Sequence, residues 1–191
     1  MSIYLIIVSA PSGAGKTTLA QKLLEDFPSL KPSISSTTRP TRKTEEHGKD
    51  YFFLSEVEFK QQMDKFGFAE WAKVHGHYYG TSRAFLEEAI KTKSPLLLVI
   101  DIQGARQLRA LYGKACLSIF VSPPSFEELE ARLRARGTDP EPVIQKRLAN
   151  AKSEMAESSK FDVVIVNDSL ERAYQELKSV VQAKTGLRPK D

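Results

Sequence analysis

The stretch Ser9–Thr18, SAPSGAGKTT, joins two glycines, a lysine and two threonines directly behind an apolar run. It is one residue away from the phosphate-binding pattern G-x-x-x-x-G-K-[ST], with Ala10 where the first glycine normally stands. Gly13 and Gly15 would let the backbone turn its N–H groups toward phosphate oxygens, and a helix opening behind Gly15 would add the positive end of its dipole. Lys16 would bridge β- and γ-phosphates, and the Thr17 hydroxyl would take a Mg²⁺ position. The Cβ of Ala10 makes a left-handed backbone costly, so the pattern requires Ala10 to close the strand at negative φ.

Other residues have spacings that suit anions. Arg39 and Arg42 flank Pro40 in a loop. They could fork onto one phosphate, or they could be ordinary solvated arginines. Arg132 and Arg136 stand at i and i+4, on one face of a helix. Like charges at that spacing cost a few tenths of a kcal/mol, which a triphosphate between them would offset. Surface pairing competes with this reading, since Glu128 precedes Arg132 and Glu130 precedes Arg134 in the favourable order. His75 and His77 could share a strand face, but no third ligand is spaced to complete a metal site, so exposed histidines are expected. The single cysteine, Cys116 in ACLSIFV, is expected to be buried and inert.

The elements that must position these groups alternate. Ile3–Ser9, Leu96–Asp101, Leu117–Val121 and Val163–Val166 read as apolar strands. Lys16–Phe27, Gln103–Leu111, Ser125–Arg136 and Leu170–Lys184 read as helices, the third opened by the capping pattern Ser125…Glu128. Apolar strands separated by helices imply a parallel sheet covered on both faces. Two segments depart from this rhythm. Ser33–Ser82 is rich in Thr, aromatic and alternating residues and reads as a small mixed lobe with antiparallel strands. Its Trp71, Phe52 and Phe53 are expected in the lobe's core. From Ser125 to Asn150, Gly137, Pro140 and Pro142 interrupt two helices and suggest a flap.

Composition narrows the classes. The 191 residues are 41% hydrophobic and 27% charged, as in an ordinary globular protein. The longest apolar runs are too short to span a bilayer, and no basic region precedes the first of them. The expectation is a cytoplasmic protein with no membrane partner. The net charge of +4 is spread over short, separated arginine motifs, which suits a nucleotide and not a nucleic acid. No feature of the sequence sets an oligomeric state.

The segments SISSTTRPTR, GKDYFF, FAEWAKVHGHYYGTS, IDIQGA, RLRARGTD, KRLANA and VIVND follow the phosphate loop in order. Together they resemble the guanylate kinase family over nearly the whole chain. The resemblance implies an α/β fold with a P-loop parallel β-sheet core and helices on both faces (residues 1–32, 83–124 and 151–191). It adds a small mixed α/β GMP-binding lobe (33–82) and a helical lid (125–150). It implies Mg²⁺-dependent, reversible phosphoryl transfer from ATP to GMP and dGMP. ATP would contact Ala10, Pro11, Ser12, Gly13, Ala14, Gly15, Lys16, Thr17 and Thr18, with Asn167 near the adenine. GMP would contact Ser35, Arg39, Arg42, Tyr51, Glu70, Tyr79, Thr81 and Asp101. Lys16, Arg132, Arg136 and Arg147 would serve transfer.

Glu70 carries the acceptor's identity in this reading. A carboxylate can accept from both N1–H and N2–H₂ of guanine, a donor pair that adenine lacks. On the residues alone Glu70 could equally be a surface strand residue, and Asp101 a strand-end acid. Val99 stands where many family members carry an acid two residues before Asp101, so no second carboxylate contact is expected there. A non-catalytic interaction module and a ribose-phosphate kinase are the alternatives. The intact loop opposes the first, and Glu70, Tyr79 and Thr81 oppose the second.

Overall fold

The structure is a computed structural model that describes residues 2–74, 76–135, 137 and 139–190. In chain order its elements are β1 (Leu5–Ser9), α1 (Lys16–Asp26), β2 (Lys31–Pro32), β3 (Ser36–Thr37), β4 (Phe52–Phe53), α2 (Glu56–Asp64), β5 (Phe68–Val74) and β6 (His77–Ser82). There follow α3 (Arg83–Lys91), β7 (Leu96–Val99), α4 (Ile102–Tyr112), β8 (Cys116–Ser122), α5 (Phe126–Ala135), α6 (Glu141–Ala156), β9 (Val163–Val166) and α7 (Leu170–Thr185).

Five strands form a parallel sheet in the order β2-β7-β1-β8-β9. Successive side chains of a strand point to opposite faces, and β1 is apolar on both. Ile6 and Val8 join Leu19 and Leu23 of α1 and Leu177 of α7 in one core layer. Leu5 and Ile7 join Leu86 of α3 and Leu108 of α4 in the other. This is the doubly covered parallel sheet expected from the apolar runs. Cys116 is buried at the start of β8, where burial pushes its thiol up to about 12. Among the described residues no helix is long and apolar enough to cross a membrane.

A second sheet, ordered β4-β3-β6-β5, holds the segment read as a mixed lobe. β3 pairs parallel with β4 and antiparallel with β6, which pairs antiparallel with β5. Phe59 of α2 fills its centre, stacked on Phe68 and Tyr78 at 4.3 and 5.3 Å between ring centroids. This corrects the expected core: Trp71 and Phe52 are exposed, and the buried ring comes from α2, a helix not foreseen. α3 and β2 were also not foreseen. β2 is a two-residue edge strand containing Pro32, too short to carry a periodic signal.

α5 and α6 form a third apolar cluster of Leu129, Leu133, Ile144, Leu148 and Ala151. Ser125 Oγ accepts from the Glu128 N–H at 3.1 Å and caps α5. The Glu128 carboxylate turns instead to Arg132.

Candidate active site

The phosphate loop, Asp101 and Asn167 lie at the carboxyl ends of β1, β7 and β9, where ligands of open α/β sheets bind. The loop after β1 is left-handed at Gly13 and Gly15, with φ of 98° and 92°, but not at Ala10. Ala10 is buried and closes the strand at negative φ, as the loop requires. The loop is held from behind. Asn167, buried just beyond β9, donates from Nδ2 to the Ala14 carbonyl at 2.7 Å. A Cβ on Gly15 would lie 2.3 Å from that Nδ2, so glycine is demanded there by packing as well as by φ. A Cβ on Gly13 would stand 3.0 and 3.1 Å from Leu133 and Leu129 of α5.

Lys16 opens α1, and its Nζ donates to the Ile100 carbonyl at 3.4 Å. Burial lowers its pKa, while the Asp101 and Glu154 carboxylates act to raise it. Pro11, Ser12, Gly13, Gly15, Lys16 and Thr17 line a cavity of about 260 Å³ together with Asp101 and Glu154. Its donors to a cation are hard oxygens, the Thr17 hydroxyl and the Asp101 carboxylate, which fits Mg²⁺ shared with phosphates. Among the described residues no group of three or more His, Cys, Asp or Glu could hold a metal ion. His47 accepts from the Phe53 N–H at 3.2 Å, and His77 lies half-buried on β6. His75 lies outside the described residues.

Among the described arginines of α5 and α6, Arg147 reaches the phosphate loop and Arg132 reaches the Asn167 that props it. Arg147 donates to Ser12 Oγ at 3.1 Å and to Asp139 at 3.4 Å, and its Nε is buried without a partner. Arg132 donates to the Asn167 carbonyl and to Glu128, each at 3.0 Å. Arg134 is paired with Glu130 and Glu141 at the surface. Arg136 lies outside the described residues.

A second cavity, of about 160 Å³, opens beside the first. Ser35, Tyr51, Glu70 and Tyr79 line it, and Lys16, Val74 and Asp101 are common to both cavities. The register of β5 on β6 shifts between Phe68 and Glu70, which sets Glu70 directly opposite Thr81. Such bulges re-aim a side chain. Thr81 Oγ1 donates to Glu70 Oε1 at 2.5 Å, and Ser35 Oγ lies 3.5 Å from the same hydroxyl. Glu70 is only 3% exposed, and burial pushes its carboxyl up to about 7, against the lowering effect of the Thr81 bond.

Arg39 and Arg42 part company in the structure. Arg39 donates from Nη1 and Nη2 to Glu45 at 3.0 and 2.7 Å, with its guanidinium 5.4 Å from the Tyr51 ring centroid. Hydrogen bonding to Arg39 holds the Glu45 carboxyl below its ordinary value. The Arg42 side chain is 71% exposed, and its backbone N–H donates to Glu45. Asp101 caps α4, accepting from the Gly104 N–H at 2.8 Å. Sequence reading missed Glu45, three residues past Arg42, and Glu154, whose helical spacing alone did not aim it at Lys16. It also missed Gln107 of α4, whose side-chain amide pairs with the backbone of Trp71 on β5, donating at 2.8 Å and accepting at 3.3 Å.

A family model described as guanylate kinase matches residues 2–184. The chain is 53% identical to the guanylate kinase of Geobacter metallireducens over 180 residues, covering 94% of this chain and 88% of that one. It is 48% identical to the guanylate kinase of Prochlorococcus marinus, covering 94% and 97% of the two chains. Among solved structures, that of guanylate kinase from Anaplasma phagocytophilum superposes with a TM-score of 0.79 at 33% identity, over 98% of this chain and 90% of that one.

Proposed function

The chain belongs to the guanylate kinase family, and on that premise we propose that it transfers the γ-phosphoryl group of ATP to GMP, and to dGMP, giving ADP and GDP. The observation that carries this is the junction of the two cavities at Lys16 and Asp101. One cavity has the lining of a phosphate cradle and the other ends on a buried carboxylate. A phosphate held in each would meet beside the Lys16 ammonium.

The roles follow from phosphoryl-transfer chemistry. The loop Ala10–Thr18 holds the ATP phosphates through its N–H groups. Thr17 would hold Mg²⁺, which supplies charge neutralisation across the phosphates when bound. Arg39, Arg42, Tyr51 and Tyr79 take the GMP phosphate, with Ser35 and Thr81 fixing the Glu70 carboxylate on the guanine edge. Asp101, as the cap of α4, borders both substrates. The acceptor oxygen is thereby aligned with the γ-phosphorus, and no covalent enzyme intermediate is needed. Lys16, Arg132, Arg136 and Arg147 neutralise charge on the transferring group. Asn167 supports the loop from behind, a role its bond to Ala14 favours over direct adenine contact. Residues 125–150 act as the lid and 33–82 as the acceptor lobe, and closure excludes water that would hydrolyse ATP. A kinase of free nucleotides with one buried, unreactive thiol suits the cytoplasm.

The test is ADP production by the purified protein with ATP and magnesium and each nucleoside monophosphate in turn. GMP and dGMP should support turnover, with AMP, CMP and UMP poor acceptors. No GMP-dependent ADP would overturn the proposal.

A further inference from the structure

The carboxylate of Glu70 is held by hydrogen bonding to Thr81. Thr81 holds Oε1 at 2.5 Å. The other oxygen, Oε2, lies against the first turn of α4. A Cβ built on Gly104 would stand 2.4 Å from Oε2 and 3.0 Å from the carboxyl carbon. No real Cβ tolerates such a contact, so an alanine at 104 requires the carboxylate to move. Yet Gly104 is helical, and positive φ does not explain it. Glycine is a poorer helix former than alanine, so helix propensity does not explain it either. The glycine is explained by the space it leaves.

That space is set by three further bonds of α4. Asp101 at the N-cap accepts from the Gly104 N–H at 2.8 Å and fixes the first turn. Gln107, three residues past Gly104, clamps the helix to the edge of β5 through both backbone polar groups of Trp71, the residue after Glu70. Helix and strand are therefore locked at a spacing that admits the carboxylate only if position 104 has no side chain.

We propose that Gly104 is a positioning residue for acceptor selection: its bare Cα leaves the room in which Glu70 Oε2 lies, so that both carboxylate oxygens keep the aim needed to meet a guanine edge. This rests on the reading of Glu70 as the guanine acceptor. Nothing in it concerns the phosphate loop, so the ATP side of the site is untouched.

The test is a cycle of Gly104→Ala, Glu70→Ala and the double variant, with kcat and KM for GMP, KM for ATP and Tm measured for each. Gly104→Ala is expected to lower kcat/KM for GMP by about 10- to 100-fold, the scale of a misplaced contact, and to leave KM for ATP unchanged. In the Glu70→Ala background the same substitution should cost GMP use nothing more. There it should raise Tm, since alanine is the better helix former and nothing remains for its Cβ to strike. With Glu70 present it should not raise Tm. Unchanged GMP kinetics in Gly104→Ala, or an equal loss in both backgrounds, would overturn the proposal. If Glu70→Ala alone leaves GMP kinetics intact, the guanine reading itself has failed and the proposal falls with it. Should Gly104→Ala not fold alone, the double variant must still fold at least as stably as Glu70→Ala; if it does not, the positioning role is refuted.

Discussion

Glu70 shows how one buried group couples chemistry to pH. Its carboxyl is pushed up to about 7 by burial, from an ordinary 4.5. Only the ionised form can accept from two guanine donors, so KM for GMP should rise as pH falls below about 7, while KM for ATP should not follow. Stability carries the matching sign. Because the folded pKa is raised, the contribution of Glu70 is full below about pH 4.5 and is lost as pH rises through about 7. Replacing it by glutamine should flatten that loss, visible as a smaller fall in Tm between about pH 5 and 8. The same Glu70→Gln variant should use GMP about 10²-fold less well or worse, with calorimetric affinity for an ATP analogue unchanged. Arg39 offers a second test at this scale. Lysine would keep the charge but lose the two-pronged bond to Glu45. Arg39→Lys should therefore raise KM for GMP by about tenfold or more at constant pH. A wild-type KM would show that charge alone suffices.

Among the elements, α6 brings two charged side chains to the phosphate-loop cavity. It carries Arg147 to Ser12 of the phosphate loop, with a buried Nε still lacking an acceptor, and Glu154 to the same cavity. Arg147→Ala should lower kcat by about 10²–10³-fold, as expected for loss of a group aimed at transferring charge. Stopped-flow single turnovers would separate that from product release. The central strands and their helices were legible from apolar runs and helical periods, because β1, β7 and β8 are largely apolar runs, buried but for Val99 and Ser122 at the ends of β7 and β8. The phosphate loop was legible because its chemistry is local in sequence. The second sheet was only partly legible. Its strands β3 and β4 have two residues each and gain their register from partners far along the chain. The aim of Glu70 was carried by motif resemblance and not by pattern, since a bulge and a helix 34 residues on, at Gly104, set it. The pairing of Arg39 with Glu45 likewise has no periodic signature.

For the molecule as a whole, substrate binding should register as stability. Saturating an ATP analogue or GMP to about 100 times its Kd should add about 2.7 kcal/mol to the free energy of unfolding, and scanning calorimetry should show a Tm rise of several degrees, at roughly 2–4 °C per kcal/mol for a chain of this size. A chain that shifts with GMP but not with the ATP analogue would contradict the two-cavity reading. The bond from Asn167 to the Ala14 carbonyl bears on synthesis as well as on catalysis. It joins residues 153 positions apart. During translation the loop emerges 153 residues before the side chain that props it. Nascent chains halted before β9 should therefore fail to be retained on immobilised ATP, whereas chains released after α7 should be retained.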